Sequence, residues 1–203
     1  GVLNAGDSIN VTYSQILDSA GLRQYIAVVN YGADEDTSNN KYVASIEVAG
    51  GSTAGRVIIN EIMYDEPTGE CEWIEIYNNS DSVVNLKNWK VSDNSLNQVN
   101  ITSNDFLMSP QSYVVISQSS AIFVNHTNID SARVITNSSF PSLHNDGDAV
   151  IIYKINGAVS DRVDYLPDWG GTDVSLERID KNGVSNDSSN WASSIDCEKS
   201  TPT

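Results

Sequence analysis

Between Val57 and Asp93 the chain carries three short apolar runs, at residues 57–63, 73–77 and 89–91, each separated from the next by turn-forming residues. None is long enough for a stable helix. All are rich in β-branched or aromatic side chains, which confines the stretch to β-strands. In the middle run the two-residue period of a strand puts Cys71, Trp73, Glu75 and Tyr77 on one face and Glu72, Ile74 and Ile76 on the other. The aliphatic pair is therefore expected to face a core, and a sandwich of two sheets is the architecture that such strands close into.

The residues of this stretch, INEI at 59–62, EWIEIYN at 72–78 and VNLKNWKVSD at 84–93, resemble the lamin-tail domain family in its prokaryotic, exported form. Later segments keep the order of that family: SYVVIS at 112–117, LHNDGDAVIIY at 143–153, GAVSDRVDY at 157–165, SLERI at 175–179, and Trp191 ahead of Thr201-Pro202. The resemblance spans residues 55–203. It implies an all-β, immunoglobulin-like β-sandwich, used as an accessory module on surface or secreted proteins and without chemistry of its own. The family's eukaryotic members are nuclear, but no Lys/Arg cluster here supports that address.

The 203 residues allow one large β domain or two smaller ones, and no apolar run approaches the length of a bilayer crossing. The formal charge of −16, from 27 acidic and 11 basic residues, repels phosphate backbones and anionic lipid. Nucleic acid and membrane insertion are thus disfavoured. A protein or glycan at the cell surface is the expected partner, and the location expected is extracellular or cell-surface. Sequons at Asn10, Asn78, Asn100, Asn125, Asn137 and Asn186 are compatible with that location, although a chain this rich in Asn, Ser and Thr produces several by chance.

Cys71 and Cys197 are the two cysteines, and neither lies in a Cys-x-x-Cys pair, which argues against zinc or iron-sulfur ligation. In an exported domain they are expected to form a disulfide from the second strand to the C-terminal tail, with two separate thiols as the alternative.

Residues 1–49 hold strand-like runs at 8–16, 22–31 and 42–48, parted by turn signals. GDSINVTYSQI, AGLRQYIAVVNYGADEDTSNN and ASIEV are similar to the C-terminal part of the CARDB adhesion-type domain, another immunoglobulin-like sandwich of prokaryotic surface proteins. Three strands bury too little apolar surface to stand alone, so this partial segment is expected to come from a longer protein and to need cover, from preceding sequence, from the following sandwich or from a second copy paired at the sheet edge. Residues 50–55, small and uncharged, read as a linker, and 56–203 as the second domain. Within it Asn156-Gly157 signals a two-residue hairpin turn, and Trp191 is expected to be pinned on the sandwich.

Chemistry is sparse. His126 and His144 both sit in Asn/Asp/Ser-rich sequence, and no Gly-x-Ser-x-Gly elbow is present. Glu61 and Glu75 fall in neighbouring strand motifs and are the one carboxylate pair that a hydrolase reading, as an outside alternative, would use. The first expectation for them is hydrogen bonding to loop backbone or aromatic donors. Asp34, Glu35, Asp36, Asn39 and Asn40 crowd one loop, and Asp146 and Asp148 another. Ordinary turns in which Asx side chains cap their own backbone are the first expectation; the functional alternative is an ordered Ca2+ ion, with no other cofactor expected, although the EF-hand pattern fails because Asn39 and Ser45 hold its glycine and glutamate positions. Trp169, beside Gly170-Gly171, is the tryptophan placed for ligand contact, with core packing as its alternative. The reading is a non-catalytic surface module for adhesion, protein interaction or spacing, with a calcium- or carbohydrate-binding module as runner-up.

Overall fold

The computed structural model describes residues 8–13, 21–48 and 56–202, and the chain divides into two compact units, Gly1–Gly50 and Gly51–Thr203. The expected linker at 50–55 lies outside the described residues.

In the first unit, β1 (Gly21–Val28) and β2 (Lys41–Val48) form an antiparallel hairpin, in register from Gly21↔Val48 to Val28↔Lys41. The strand expected across residues 8–16 is not formed over 8–13. In the loop, Asp36 accepts a hydrogen bond from the Ser38 amide and caps a 3-10 turn at Thr37–Asn39. Ile26, Val28, Tyr42, Val43 and Ile46 all stay exposed, as expected of two strands that have no second sheet against them among the described residues of this unit.

The second unit is a sandwich. Its strands are β3 (Val57–Met63), β4 (Trp73–Asn78), β5 (Val84–Asn85), β6 (Lys90–Ser92), β7 (Val99–Asn100), β8 (Leu107–Met108), β9 (Tyr113–Ser117), β10 (Val134–Thr136), β11 (Asp148–Tyr153), β12 (Val159–Tyr165), β13 (Leu176–Arg178) and β14 (Trp191–Ser193). One sheet has the order β10-β9-β4-β3-β13-β14, the other β12-β11-β6-β7, and β5 pairs with β8. Pairing is antiparallel apart from β10 on β9. Between the sheets lie Ile59, Ile62, Ile74, Ile76, Trp89, Val91, Val114, Ile116, Val150, Ile152 and Val163, all buried.

The outer face of the larger sheet is covered as well. Helix α1 (Ile122–Asn125) lays Ile122 on Met63, Cys71, Trp73 and Val115 to make a second, smaller apolar cluster. All six residues of β4 are therefore buried, on both faces.

A bulge decides which side chains of β3 reach which face. Val57 and Ile59 point into the main core, but the pairing with β4 shifts between Ile59 and Glu61, and Ile62 is the next core residue. Asn60 is the extra residue. Without the bulge, strict alternation along these residues would carry Glu61 into the apolar interior; with it, Glu61 and Met63 turn outward.

The β11–β12 connection differs from a two-residue turn. Gly157 N–H bonds Lys154 O, so Ile155 and Asn156 are the central residues and Gly157, at φ 82°, follows them. A type I′ turn needs positive φ at both central residues, and Gly157 alone has it; the result is a turn followed by a glycine bulge.

Asn78 ties three segments together. Fully buried at the end of β4, its Nδ2 lies 2.9 Å from Ser82 O, 3.2 Å from Met108 O and 2.9 Å from Ser109 O, and its Oδ1 accepts from Ser80 Oγ. This sequon is thereby closed to glycosylation. Asn78→Ala leaves buried carbonyls without donors and is expected to cost about 2–3 kcal/mol, read as a lower urea midpoint at unchanged slope.

Candidate functional site

The polar residues of the second unit that are of catalytic type gather on the outer face of the larger sheet, near its C-terminal segment. Glu61 of β3 is the register partner of Glu75 on β4 and of Glu177 on β13, so three carboxylates form a row across three strands. Glu61 is 0% and Glu75 1% exposed. Asn60 Nδ2 donates to Glu75 Oε1 at 2.9 Å, so the bulge that turns Glu61 outward also supplies a donor to its neighbour.

Glu61 is held by the tail. Its Oε1 accepts from Ser175 Oγ at 2.6 Å and from the Thr201 amide at 2.9 Å; the Thr201 hydroxyl stands 3.3 Å from Oε2 and 2.9 Å from Glu177 Oε1. Burial pushes the Glu61 carboxyl up to about 7, with Glu75 and Glu177 adding to the rise and the Ser175 and Thr201 donors opposing it. The pair named from the sequence does come together. Glu61 lies under the tail, held by Ser175 and Thr201, while Glu75 accepts from Asn60, and neither residue lines the cleft beside them.

Next to this row lies a cleft of about 390 Å³, lined among others by His126, Ile129, Cys197, Glu198, Ser200 and Thr201. His126 follows α1 and is 5% exposed. Its Nε2 is 2.9 Å from Glu70 Oε1, which also accepts from Trp73 Nε1 at 2.9 Å, and 3.3 Å from Ser200 Oγ. Serine, histidine and glutamate are all present, but the wiring is not that of a nucleophilic triad. In a triad the acid holds one ring nitrogen and the serine hydroxyl meets the other. Here the acid and Ser200 share Nε2, so the proton that Nε2 gives to Glu70 leaves no lone pair there to activate the hydroxyl. The trio fastens the tail to the sheet.

The expected Cys71–Cys197 disulfide is not formed. Both are free thiols, Cys71 buried and Cys197 exposed. The Cys71 side chain is turned into the α1 side of the sheet, 3.2 Å from Ser117 Oγ and 3.6 Å from Ser119 O. That orientation leaves Cys197 without a partner sulfur.

The two Asx-rich loops are turns. Asp34 Oδ1 accepts from the Asp36 amide and Asp36 Oδ1 from that of Ser38, while Glu35 and Asn39 are exposed and Asn40 is half-buried. Asp148 accepts from the amides of Ala149, Asn94 and His144, and Asp146 is exposed. The carboxylates of Asp34, Asp36 and Asp148 thus bond to the chain's own amides, and among the described residues no three or more His, Cys, Asp or Glu side chains are grouped to hold a metal ion. Trp169 is half-buried and packs against the main core.

Glu72 is a further buried acid. Its Oε1 accepts from the Leu143 amide at 2.8 Å, while Oε2 is buried without a partner, and burial pushes the carboxyl up to about 7. Glu70, Ser200 and Glu198 were not legible as a set, because more than a hundred residues separate the turn before β4 from the tail that meets it.

No helix among the described residues is long and apolar enough to cross a membrane. No curated protein matches the chain. A crystal structure of a DUF4876 family protein from Bacteroides thetaiotaomicron VPI-5482 is similar at 14% identity and a TM-score of 0.42, over 71% of this chain and 67% of that one. The family model for the Lamin Tail Domain matches residues 51–167, which leaves the CARDB resemblance of the first unit outside it. With the sandwich and the order of its motifs agreeing with that match, the chain belongs to the lamin tail domain family.

Proposed function

We propose that the chain is a non-catalytic module of an exported protein, serving adhesion, protein interaction or spacing at the cell surface. The observation that carries this reading is the state of the reactive-type side chains. Glu61 and His126 are buried, the Glu70 side chain is 4% exposed, all three are hydrogen-bonded within the fold, and the serine beside His126 meets the wrong nitrogen for activation. Partner contact then falls to exposed surface, foremost the hairpin of the first unit, where Ile26, Val28, Tyr42, Val43 and Ile46 offer apolar area to a protein or to a second copy.

Sedimentation equilibrium of the full chain tests the second-copy form of this contact. Concentration-dependent dimerisation, weakened at least tenfold by Ile26→Lys with Tyr42→Lys, is the expected result. A chain that stays monomeric at millimolar concentration removes self-association through the hairpin. Turnover of ester or glycoside substrates that disappears in Glu61→Gln or Ser200→Ala overturns the non-catalytic reading itself.

A further inference from the structure

His126 lines the cleft beside the tail with one ring nitrogen left over. Its Nε2 meets Glu70 Oε1 at 2.9 Å, and because a carboxylate only accepts, the ring proton stands on Nε2 and the lone pair on Nδ1. Trp73 Nε1 donates to the same oxygen, which fixes Glu70 and with it the tautomer. Nδ1 has no hydrogen-bond partner among the described residues. A buried lone pair that faces a cleft is satisfied by a donor from outside the fold.

The neighbouring charge decides which donor. Nδ1 stands 3.9 Å from Glu198 Oε2, the Glu198 side chain is 59% exposed, and Asp196 lines the same cleft. Lys199, the cation next in the chain, does not line the cleft and pairs with no carboxylate among the described residues. Two acceptors 3.9 Å apart are both reached by one nitrogen standing about 2.9 Å from each. A carboxylate beside a neutral acceptor suits positive charge and several hydrogens on a single atom, which is a primary ammonium. The guanidinium fork instead matches the two oxygens of one carboxylate. We propose that this cleft takes the side-chain ammonium of a lysine from a basic partner protein, bonded to His126 Nδ1 and Glu198 Oε2, with its methylenes along Ile129 and Pro202. Both apolar residues line the cleft, and its volume of about 390 Å³ holds such a side chain together with water. The formal charge of −16 steers a basic partner toward it. The source of the lysine rests on the reading of the chain as an interaction module; the cleft itself is tested without a partner, so its failure leaves that reading standing.

NMR titration of the full chain with Nα-acetyl-lysine N-methylamide at pH 8 is the test, with its Nε-acetylated form, the arginine analogue and n-butylamine as comparisons. Saturable shifts are expected at His126, Ile129 and residues 197–201. The His126 Nδ1 resonance should move with them while Nε2 keeps its hydrogen, a change that loosening of the tail alone would not produce. The Nε-acetylated form is expected not to bind, and the arginine analogue to bind at least tenfold more weakly. Glu198→Gln alters an exposed side chain, so the fold is kept, and it should weaken lysine binding at least tenfold. Absence of saturation at tens of millimolar, equal affinity for the acetylated or arginine form, or affinity unchanged in Glu198→Gln overturns the site. Binding of n-butylamine with the blocked lysine excluded assigns the cleft to free amines and overturns the lysine.

Discussion

Replacing Arg178 by alanine is expected to destabilise the second unit by about 3–5 kcal/mol, the largest single-residue loss outside the apolar core. The reason lies in an edge that has no strand. β3 pairs with β13 only at Glu61 and Ile62, so the outer side of residues 57–59 has no backbone partner. Side chains stand in. Ser160 Oγ gives a hydrogen bond to Val57 O at 2.8 Å, Asp161 Oδ2 accepts from the Ile59 amide at 2.9 Å, and Arg178 Nε donates to Ile59 O at 2.6 Å. Arg178 Nη2 then pairs with Asp161 Oδ2 at 2.9 Å, where the two side chains are 0% and 10% exposed. Ser185 bridges them, and the guanidinium lies 4.7 Å over the Trp191 ring.

Truncation at Arg178 strands a buried carboxylate and an unpaired carbonyl together, and it removes the cover from Trp191. Exposed pairs behave differently. Arg162 and Asp164 also form an ion pair, but at 38% and 43% exposure, and Arg162→Ala is expected to cost under about 1 kcal/mol. Urea unfolding of both variants decides the matter: equal losses would show that the corner carries no special weight. Arg178→Lys should fall between, since one ammonium does not reach Ile59 O and Asp161 with the planar geometry of a guanidinium.

How far the sequence reveals all this depends on the range of the interaction. Ile74 and Ile76 are readable as core residues because β4 is regular and its period survives folding intact. Glu61 is legible as a strand residue facing a carboxylate neighbour, but its side of the sheet turns on the bulge at Asn60, which a polar residue within an apolar run does not announce. Asn156-Gly157 marks the place of the β11–β12 connection while misplacing its centre by one residue, because only Gly157 takes positive φ. The corner built from Ser160, Asp161, Arg178 and Ser185 was not legible at all. Nothing local to β12 or β13 says that their polar side chains will serve an edge of β3 formed a hundred residues earlier. The same distance hides the meeting of Glu70 and Ser200 with His126, which shows in the sequence only as one of two histidines in polar segments.

Stability should fall as pH rises from about 4.5 to about 7, and the two buried glutamates should set that slope. Glu61 and Glu72 each have a carboxyl raised from 4.5 to about 7 by burial. Between those values the folded chain keeps protons that the unfolded chain has released, so raising the pH favours unfolding. The stabilisation is complete below about 4.5, is lost as pH passes through 7, and changes little beyond. For Glu61 alone a shift of this size is worth about 3 kcal/mol. Groups with lowered values, Asp36, Asp105, Asp164 and Asp187, act in the opposite sense, but only below their ordinary value of 3.8, outside this window. Glu61→Gln keeps the shape and removes the charge: it should lose stability at pH 5, where the native acid is neutral and well bonded, and gain or hold at pH 8, where the native carboxylate is ionised under the tail. Glu72→Gln should act in the same direction, through an Oε2 that has no donor to stabilise its charge. Urea midpoints at the two pH values for the parent chain and both variants measure this. A parent slope that survives both substitutions would place the titrating groups elsewhere.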